Sequence, residues 1–195
     1  MAPAREPALQ ADADTLASVT IEPDTKDWTW VLQRQCPECG LHAGTVPVAS
    51  VPEIVRLNAA SWQQVLARPN ATERPTPRVW SPLEYGCHVR DVLALFDMRV
   101  GLMLGSDDPL FDNWDQDATA VAERYGEQDP AAVAAQLLAN AEVLAATFEG
   151  VSGEQWNRTG RRTDGATFTV ETIARYCIHD LVHHVHDVSP TLTPR

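Results

Sequence analysis

The sequence predicts an all-α protein, a four-helix bundle preceded by an N-terminal arm that carries tryptophans and cysteines. Four stretches place apolar residues at three- and four-residue steps, and outside the arm no stretch alternates apolar and polar residues as a strand does. A chain of 195 residues that is 44% hydrophobic suits one domain with a core of its own. No apolar run approaches the ~18 residues that a membrane span needs.

Each predicted helix has a recognisable start or stop. The first follows Ser50, with Pro52 in its first turn, and runs to about residue 67. The second begins at a capping box, Ser81 to Glu84, and extends to about residue 104. The third lies between Asp129-Pro130 and Gly150, and the fourth runs from a Thr169 cap to about residue 188.

The remaining segments divide the chain into a tail, an arm and the bundle. Residues 1–24 are predicted as a mobile tail, because they are rich in Ala, Pro and Asp and lack an apolar period. Residues 25–49 form the arm, in which Trp28 to Leu32 is expected to be extended. The predicted four-helix bundle then spans residues 50–190. Its longest connections are the loops 105–117, before a short helix near residues 119–124, and 152–165.

Composition limits the classes of partner and the cellular compartment that fit this protein. A net charge of −12 leaves no basic surface for the phosphates of nucleic acids or anionic membranes. The acidic N-terminal segment lacks the apolar core of a secretory signal, and four unevenly spaced cysteines make a poor disulfide framework. We therefore expect a cytoplasmic protein whose partners are a small-molecule substrate and, in a homodimer, a second copy of the chain.

Four of the six histidines lie in one stretch of the last helix, residues 179–186. At ~100° per residue, His183 and His186 point within about 40° of His179, and His184 points about 140° away. A histidine pair at i and i+4 on one helical face is typical of metal ligands. His179 and His183 are therefore the predicted pair, with His184 directed elsewhere.

His88 lies in the middle of the apolar stripe of the second helix. A lone histidine there is most simply a hydrogen-bonded core residue. Together with His179 and His183, however, it would complete a set of three neutral imidazoles. Such a set leaves coordination positions open, as catalytic metal sites do.

These histidines and the capped second helix resemble the DinB/YfiT-like superfamily of metalloenzymes over roughly residues 51–188. The resemblance implies a metal held by one histidine of the second helix and two of the last, which correspond to His88, His179 and His183. Characterised members use low-molecular-weight thiols such as mycothiol in maleylpyruvate isomerisation or thiol conjugation, and many members have no known activity. The arm is a departure from the minimal bundle.

The leading functional hypothesis is a metal-dependent enzyme that activates a mycothiol-like thiol, or water, for transfer, isomerisation or hydrolysis of a small electrophile. Zn²⁺ is the simplest ion, and imidazole ligands also suit Ni²⁺ and Fe²⁺. His186 or Asp91 would orient a ligand or carry protons, and Arg161 and Arg162 would bind a carboxylate of a thiol cofactor or of an acidic substrate. The alternatives are a non-catalytic metal-binding or stress-related bundle, and structural histidines in a protein-assembly module.

The arm contains a Cys36-x-x-Cys39-Gly40 motif, which has the shape of one knuckle of a zinc ribbon. A ribbon needs a second cysteine pair, and Cys87 and Cys177 are not spaced as one. A redox dithiol usually starts a helix after a strand, a context missing here. The sequence alone therefore favours free cysteines in the arm.

Overall fold

The computed structural model describes residue 21 and residues 26–189. The predicted tail, residues 1–24, lies outside the described residues except for Ile21. The five α-helices, in chain order, are α1 (Val51–Leu66), α2 (Pro82–Gly105), α3 (Gln116–Ala122), α4 (Pro130–Glu149) and α5 (Val170–Asp187). Their bounds agree with the predicted helices to within about one to three residues.

The four long helices form the predicted bundle, which confirms the all-α class. Helices α1 and α2 each pack against both α4 and α5, more extensively than against each other. Their facing sides bury one continuous apolar core, which includes Trp62, Leu93, Leu137 and Ile178. Burial of such side chains, at ~25 cal/mol per Å² of apolar surface, is the main source of stability.

Capping side chains fix where α2 and α5 begin. Ser81 Oγ accepts from the Glu84 amide at 3.2 Å, and the Glu84 carboxylate accepts from the Ser81 amide at 2.8 Å. The same carboxylate pairs with the Arg74 guanidinium. Thr169 caps α5 in the same way, by accepting from the Thr172 amide. These caps satisfy amides that the first helical turn leaves unpaired.

The arm differs from the prediction at its first segment. Trp28–Leu32 forms a 3-10 helix instead of an extended piece, because the Asp27 carboxylate accepts from the Thr29 amide at 2.9 Å and caps it. Two further 3-10 turns lead to α1, and the arm packs against α5. Gly44 is required for this path, since a Cβ there would lie 2.0 Å from the Leu32 carbonyl oxygen.

The structure also contains a small sheet that the sequence pattern did not reveal. Its strands are β1 (Leu110–Phe111), β2 (Thr159–Arg162) and β3 (Thr167–Thr169), in the order β1-β2-β3, with β1 parallel and β3 antiparallel to β2. Strands of two to four residues are too short to show an alternating pattern. The sheet joins the two long loops beside the start of α5.

One helix among the described residues, α4, is long and apolar enough to cross a membrane by length and composition alone. Much of its apolarity comes from alanines, and its Val133, Leu137, Leu144 and Phe148 are buried in the bundle core. These contacts identify α4 as a core helix.

Candidate metal centre

Two adjoining faces of α5 carry metal-ligating side chains. His179 and His183 lie on one face, and Asp180 and His184 lie about 100° further round the helix. The Asn58 side chain on α1 donates to the Leu181 carbonyl at 2.8 Å, and Leu181 itself is fully buried. These contacts set the rotation of α5, and so decide which face meets α2 and which meets the arm.

The first group, here called the carboxylate cluster, consists of His88, Asp180 and His184, one ligand atom of each lying within 4.8 Å of the others. The Nε2 atoms of His88 and His184 approach the same oxygen, Asp180 Oδ1, at 3.6 and 3.4 Å. Neither ring nitrogen of His88 nor Asp180 Oδ1 has a hydrogen-bond partner among the described residues. Buried polar atoms in that condition are costly, and a divalent cation between these residues would bind His88 Nε2 and Asp180 Oδ1 together.

Neighbouring side chains orient this cluster. His184 Nδ1 lies 2.9 Å from Asp187 Oδ2, so the nitrogen that donates to the carboxylate is Nδ1 and the Nε2 lone pair faces Asp180. Trp114 stacks on the His88 ring at 5.3 Å between centroids, and Trp80 lies at 5.4 Å on a tilted plane. Burial lowers the pKa of His88, which keeps its imidazole neutral and able to bind a metal.

The second group, here called the cysteine cluster, consists of Cys36, Cys39, His179 and His183, with their ligand atoms again within 4.8 Å of one another. Cys36 Sγ lies 3.7 Å from His183 Nδ1. The buried His179 Nε2 has no hydrogen-bond partner among the described residues. The arm thus delivers two sulfur atoms to the face of α5 that carries two imidazoles.

Burial dominates the proton affinities in the cysteine cluster. It lowers the pKa of His179 to about 4 and also lowers the pKa of His183, so both imidazoles are neutral at pH 7. It raises the pKa of the Cys39 thiol to about 11. A reactive thiol needs a depressed pKa, so Cys39 is a poor nucleophile for redox chemistry in this structure.

The three histidines predicted to share one ion are divided between these groups. His88 lies with Asp180 and His184, and His179 and His183 lie with the arm cysteines. The expectation that His184 points away from the site is wrong, because its ring centroid lies 4.6 Å from that of His88. Of the predicted orienting groups, Asp91 is bound by Arg90 and Tyr125, and His186 is exposed.

A signal for the carboxylate cluster is present in the sequence of α5. Asp180 and His184 are also an i, i+4 pair, and a carboxylate is as good a zinc ligand as an imidazole. Asp187, three residues beyond His184, takes the orienting position that was assigned to His186 or Asp91.

A cavity of about 720 Å³ opens in front of both groups. It is lined by His88, Asp180 and His184, by His179 and His183, and by the aromatic rings of Trp28, Trp80, Trp114, Phe96 and Tyr176. Cys36 and Cys39 are not among its lining residues. The carboxylate cluster is therefore reached from the cavity, and the two sulfur atoms lie behind its wall.

Three arginines line the cavity, Arg78, Arg99 and Arg162. Arg162 lines it and pairs with Asp164 at 2.8 Å, and Arg161 is not among the lining residues and pairs with Asp108 at 2.7 Å. Arg99 is a lining residue that the sequence did not single out. Its side chain is 4% exposed and its Nε has no hydrogen-bond partner among the described residues. Burial lowers the pKa of Arg99 to about 10, so it remains charged at pH 7.

Comparison with known proteins agrees with this architecture. No curated protein sequence matches the chain. Among solved structures, it is similar to YfiT from Bacillus subtilis, described as a probable metal-dependent hydrolase with an unusual four-helix bundle topology. The match has a TM-score of 0.64 at 17% identity, covers 71% of this chain and 82% of that chain, and shows the fold. The sequence profile of the DinB superfamily matches residues 53–188, from the start of α1 to the end of α5. The chain belongs to the DinB superfamily.

Proposed function

We propose that the protein is a metal-dependent enzyme whose ion is held by His88, Asp180 and His184 at the wall of the cavity. The observation that carries this proposal is the convergence of two imidazole Nε2 atoms on one carboxylate oxygen. Within residues 26–189, neither that oxygen nor the ring nitrogens of His88 have a hydrogen-bond partner. Zn²⁺ is the simplest ion for two nitrogens and one oxygen, and Ni²⁺ or Fe²⁺ would also suit them.

The donor set is of the catalytic type. Two neutral imidazoles and one carboxylate make three protein ligands, which leaves a position for a substrate or water on the cavity side. A divalent cation bound there supplies Lewis acidity, which favours deprotonation of a water or a thiol near neutral pH. The chain's own contribution is to hold the three donors, with Asp187 fixing His184 and Trp114 fixing the His88 ring.

The cavity suggests the substrate class. Aromatic side chains would contact an apolar or planar body, and Arg99 would donate a hydrogen bond from its Nε to a substrate carboxylate. Arg162 is already paired with Asp164 and would add positive charge nearby. We therefore propose a small anionic electrophile, attacked by a mycothiol-like thiol or by water. Hydrolysis is supported by the description of YfiT, and thiol transfer or isomerisation by the resemblance noted in the sequence.

The proposed setting is the cytoplasm, without nucleic-acid or membrane partners. All four cysteines are free thiols. They include Cys36 and Cys39, whose sulfur atoms lie within 4.8 Å of each other. Free neighbouring thiols fit a reducing compartment. The acidic net charge of −12 supports the expectation about nucleic acids.

The test combines metal content with activity. Zinc-loaded protein is assayed for hydrolysis of small carboxylate-bearing esters and amides, and for addition of a low-molecular-weight thiol to carboxylate-bearing electrophiles. His88→Ala and Asp180→Asn should each lose the activity together with one equivalent of metal. Glu171→Gln, which removes an exposed carboxylate from the same helix, is the matched control and should retain both. Unchanged metal content in His88→Ala and Asp180→Asn would overturn the proposal.

A further inference from the structure

The turn of the arm has the backbone shape of a metal-binding knuckle. The Cys36 amide donates to the Leu41 carbonyl at 2.8 Å, and the Gly40 amide donates to the Cys36 carbonyl at 3.0 Å. Gly40 has a φ of +75°, a conformation that glycine adopts without the steric cost of a Cβ. This closed turn brings the side chains of Cys36 and Cys39 to the same side of the arm, toward α5.

The partner of this turn is a histidine pair and not a second cysteine pair. The ring centroids of His179 and His183 are 5.1 Å apart on successive turns of α5. In sequence the set has the form C-x2-C followed by H-x3-H, which are the spacings of Cys₂His₂ zinc sites. The long interval between the two halves hid the pattern, because only the fold brings the arm onto the last helix.

The distances are close to those of a tetrahedral ion. With bonds of about 2.3 Å to sulfur and 2.1 Å to nitrogen, neighbouring ligand atoms of a tetrahedral zinc lie about 3.6 Å apart. The Cys36 Sγ to His183 Nδ1 separation is 3.7 Å, and no ligand atom of the group is more than 4.8 Å from another. Side-chain shifts of about 1 Å would therefore complete the site, without movement of the backbone.

Burial and charge also favour a cation at this position. Cys36, His179 and His183 are 0%, 3% and 7% exposed, so their polar atoms have little contact with bulk solvent. Two thiolates would neutralise a divalent cation, and two neutral imidazoles would complete its shell. His183 Nε2, on the far side of the ring from Cys36, faces Glu38 and Asp187 at 3.5 and 3.7 Å. A ligating imidazole commonly donates its other ring N–H to a carboxylate, which orients the ring.

We propose that Cys36, Cys39, His179 and His183 form a four-ligand site for Zn²⁺ or a similar divalent cation, separate from the carboxylate cluster. Its role is structural, since four protein ligands leave no open position. The ion fastens the arm to α5 and thereby holds Trp28, which contacts the rings of His179 and His183, against the cavity. This site goes beyond the proposed function and does not depend on it.

The test uses the full-length chain loaded with Co²⁺, whose bonds to thiolate sulfur give a charge-transfer absorption that nitrogen and oxygen ligands do not give. Wild-type protein should show this absorption together with the strong visible bands of tetrahedral Co²⁺. Cys39→Ser should retain about half of the charge-transfer intensity, because one of two thiolates remains. The double variant Cys36→Ser, Cys39→Ser should show none.

The matched control removes the two other cysteines, Cys87 and Cys177, both buried outside the cluster. The double variant Cys87→Ala, Cys177→Ala should keep the full charge-transfer band. His88→Ala, which tests the carboxylate cluster, should lower the metal content by one equivalent without changing that band. The two proposals can therefore fail separately.

The wild-type spectrum decides the question even if the cysteine variants do not fold. Absence of thiolate-to-cobalt absorption in folded wild-type protein that has bound two equivalents of Co²⁺, or that binds no second equivalent when Co²⁺ is in excess, would overturn the proposal. So would a full charge-transfer band in a folded Cys36→Ser, Cys39→Ser variant, since the thiolates would then come from elsewhere.

Discussion

The two faces of α5 use the same i, i+4 spacing with different partners. Asp180 and His184 meet His88 from α2, giving three donors of nitrogen and oxygen on the cavity side. His179 and His183 meet two cysteines of the arm, giving four donors with the sulfur atoms behind the wall. The comparison teaches that helical spacing offers a pair of ligands, and that the element packed against that face decides the number and type of the others.

The largest expected effect separates the two faces directly. Asp180→Asn should weaken metal binding at the carboxylate cluster by more than about 100-fold, because it removes the charged ligand itself and not a residue behind it. The cysteine cluster should keep its ion. Isothermal titration of zinc into metal-free protein would resolve the two classes of site. Equal weakening of both would show that the two faces hold a single centre.

Asp187→Asn should give a smaller loss, of about 10- to 100-fold in affinity at the carboxylate cluster. The reason is that Asp187 Oδ2 holds His184 Nδ1 at 2.9 Å and does not itself face the ion. Its other oxygen lies 3.7 Å from His183 Nε2, so the cysteine cluster should change less. The same titration measures the zinc affinity of both clusters. A loss at the carboxylate cluster as large as that of Asp180→Asn would show that Asp187 is itself a ligand.

Metal-free protein should lose stability as the pH falls. Burial lowers the pKa of His179 from 6.5 to about 4 and also lowers the pKa values of His88 and His183. Between the pKa of an unfolded-chain histidine and the lowered pKa of the folded protein, the unfolded chain binds more protons than the folded chain. The free energy of unfolding therefore rises with pH in this range. This stability is present above about pH 6.5 and is lost as the pH falls toward 4. Urea unfolding at pH 7.5, 6 and 5, in the presence of a chelator, would measure it.

If the urea midpoint were the same at all three pH values, the imidazoles would already be hydrated in the folded protein. The two clusters would then not be buried. The metal-free bundle should still be folded at pH 7.5, because its core is formed by the four long helices and not by the ions. Bound metal should then raise the melting temperature by mass action.

The smallest expected effect concerns the turn of the arm that carries Cys36 and Cys39. Gly40→Ala should weaken metal binding only at the cysteine cluster, by about tenfold, because a φ of +75° costs an L-residue roughly 1 to 2 kcal/mol. Gly101→Ala is the matched control, since Gly101 is helical and has open space where its Cβ would lie. It should leave both sites unchanged and slightly stabilise α2. An effect of Gly40→Ala on the carboxylate cluster would contradict the separation of the two faces.

The helices were predictable because each carries its own signals. Ser81 and Thr169 cap helices, Gly150 ends one, and the apolar period runs between them. The angular positions of the α5 histidines were also correct relative to one another. These features are local, and a sequence shows them without knowledge of the fold.

The site was only partly predictable, because it depends on how far α5 is rotated in the bundle. His183 and His184 are about 100° apart, and a modest rotation decides which of them meets His88. That rotation is set by packing contacts such as Asn58 with the Leu181 carbonyl, and by the arm, which covers the other face. Contacts across more than 100 residues of chain leave no local pattern in the sequence.

If α5 carries two separate metal sites, anomalous X-ray scattering at the zinc absorption edge will resolve them. Crystals of the zinc-loaded protein should show two peaks on adjoining faces of α5. One should lie at about 2.0 to 2.2 Å from donors of His88, Asp180 and His184, and the other at about 2.3 Å from the two sulfur atoms of the arm. A single peak bonded to His88, His179 and His183 together would contradict the account and restore the histidine triad that the sequence first indicated.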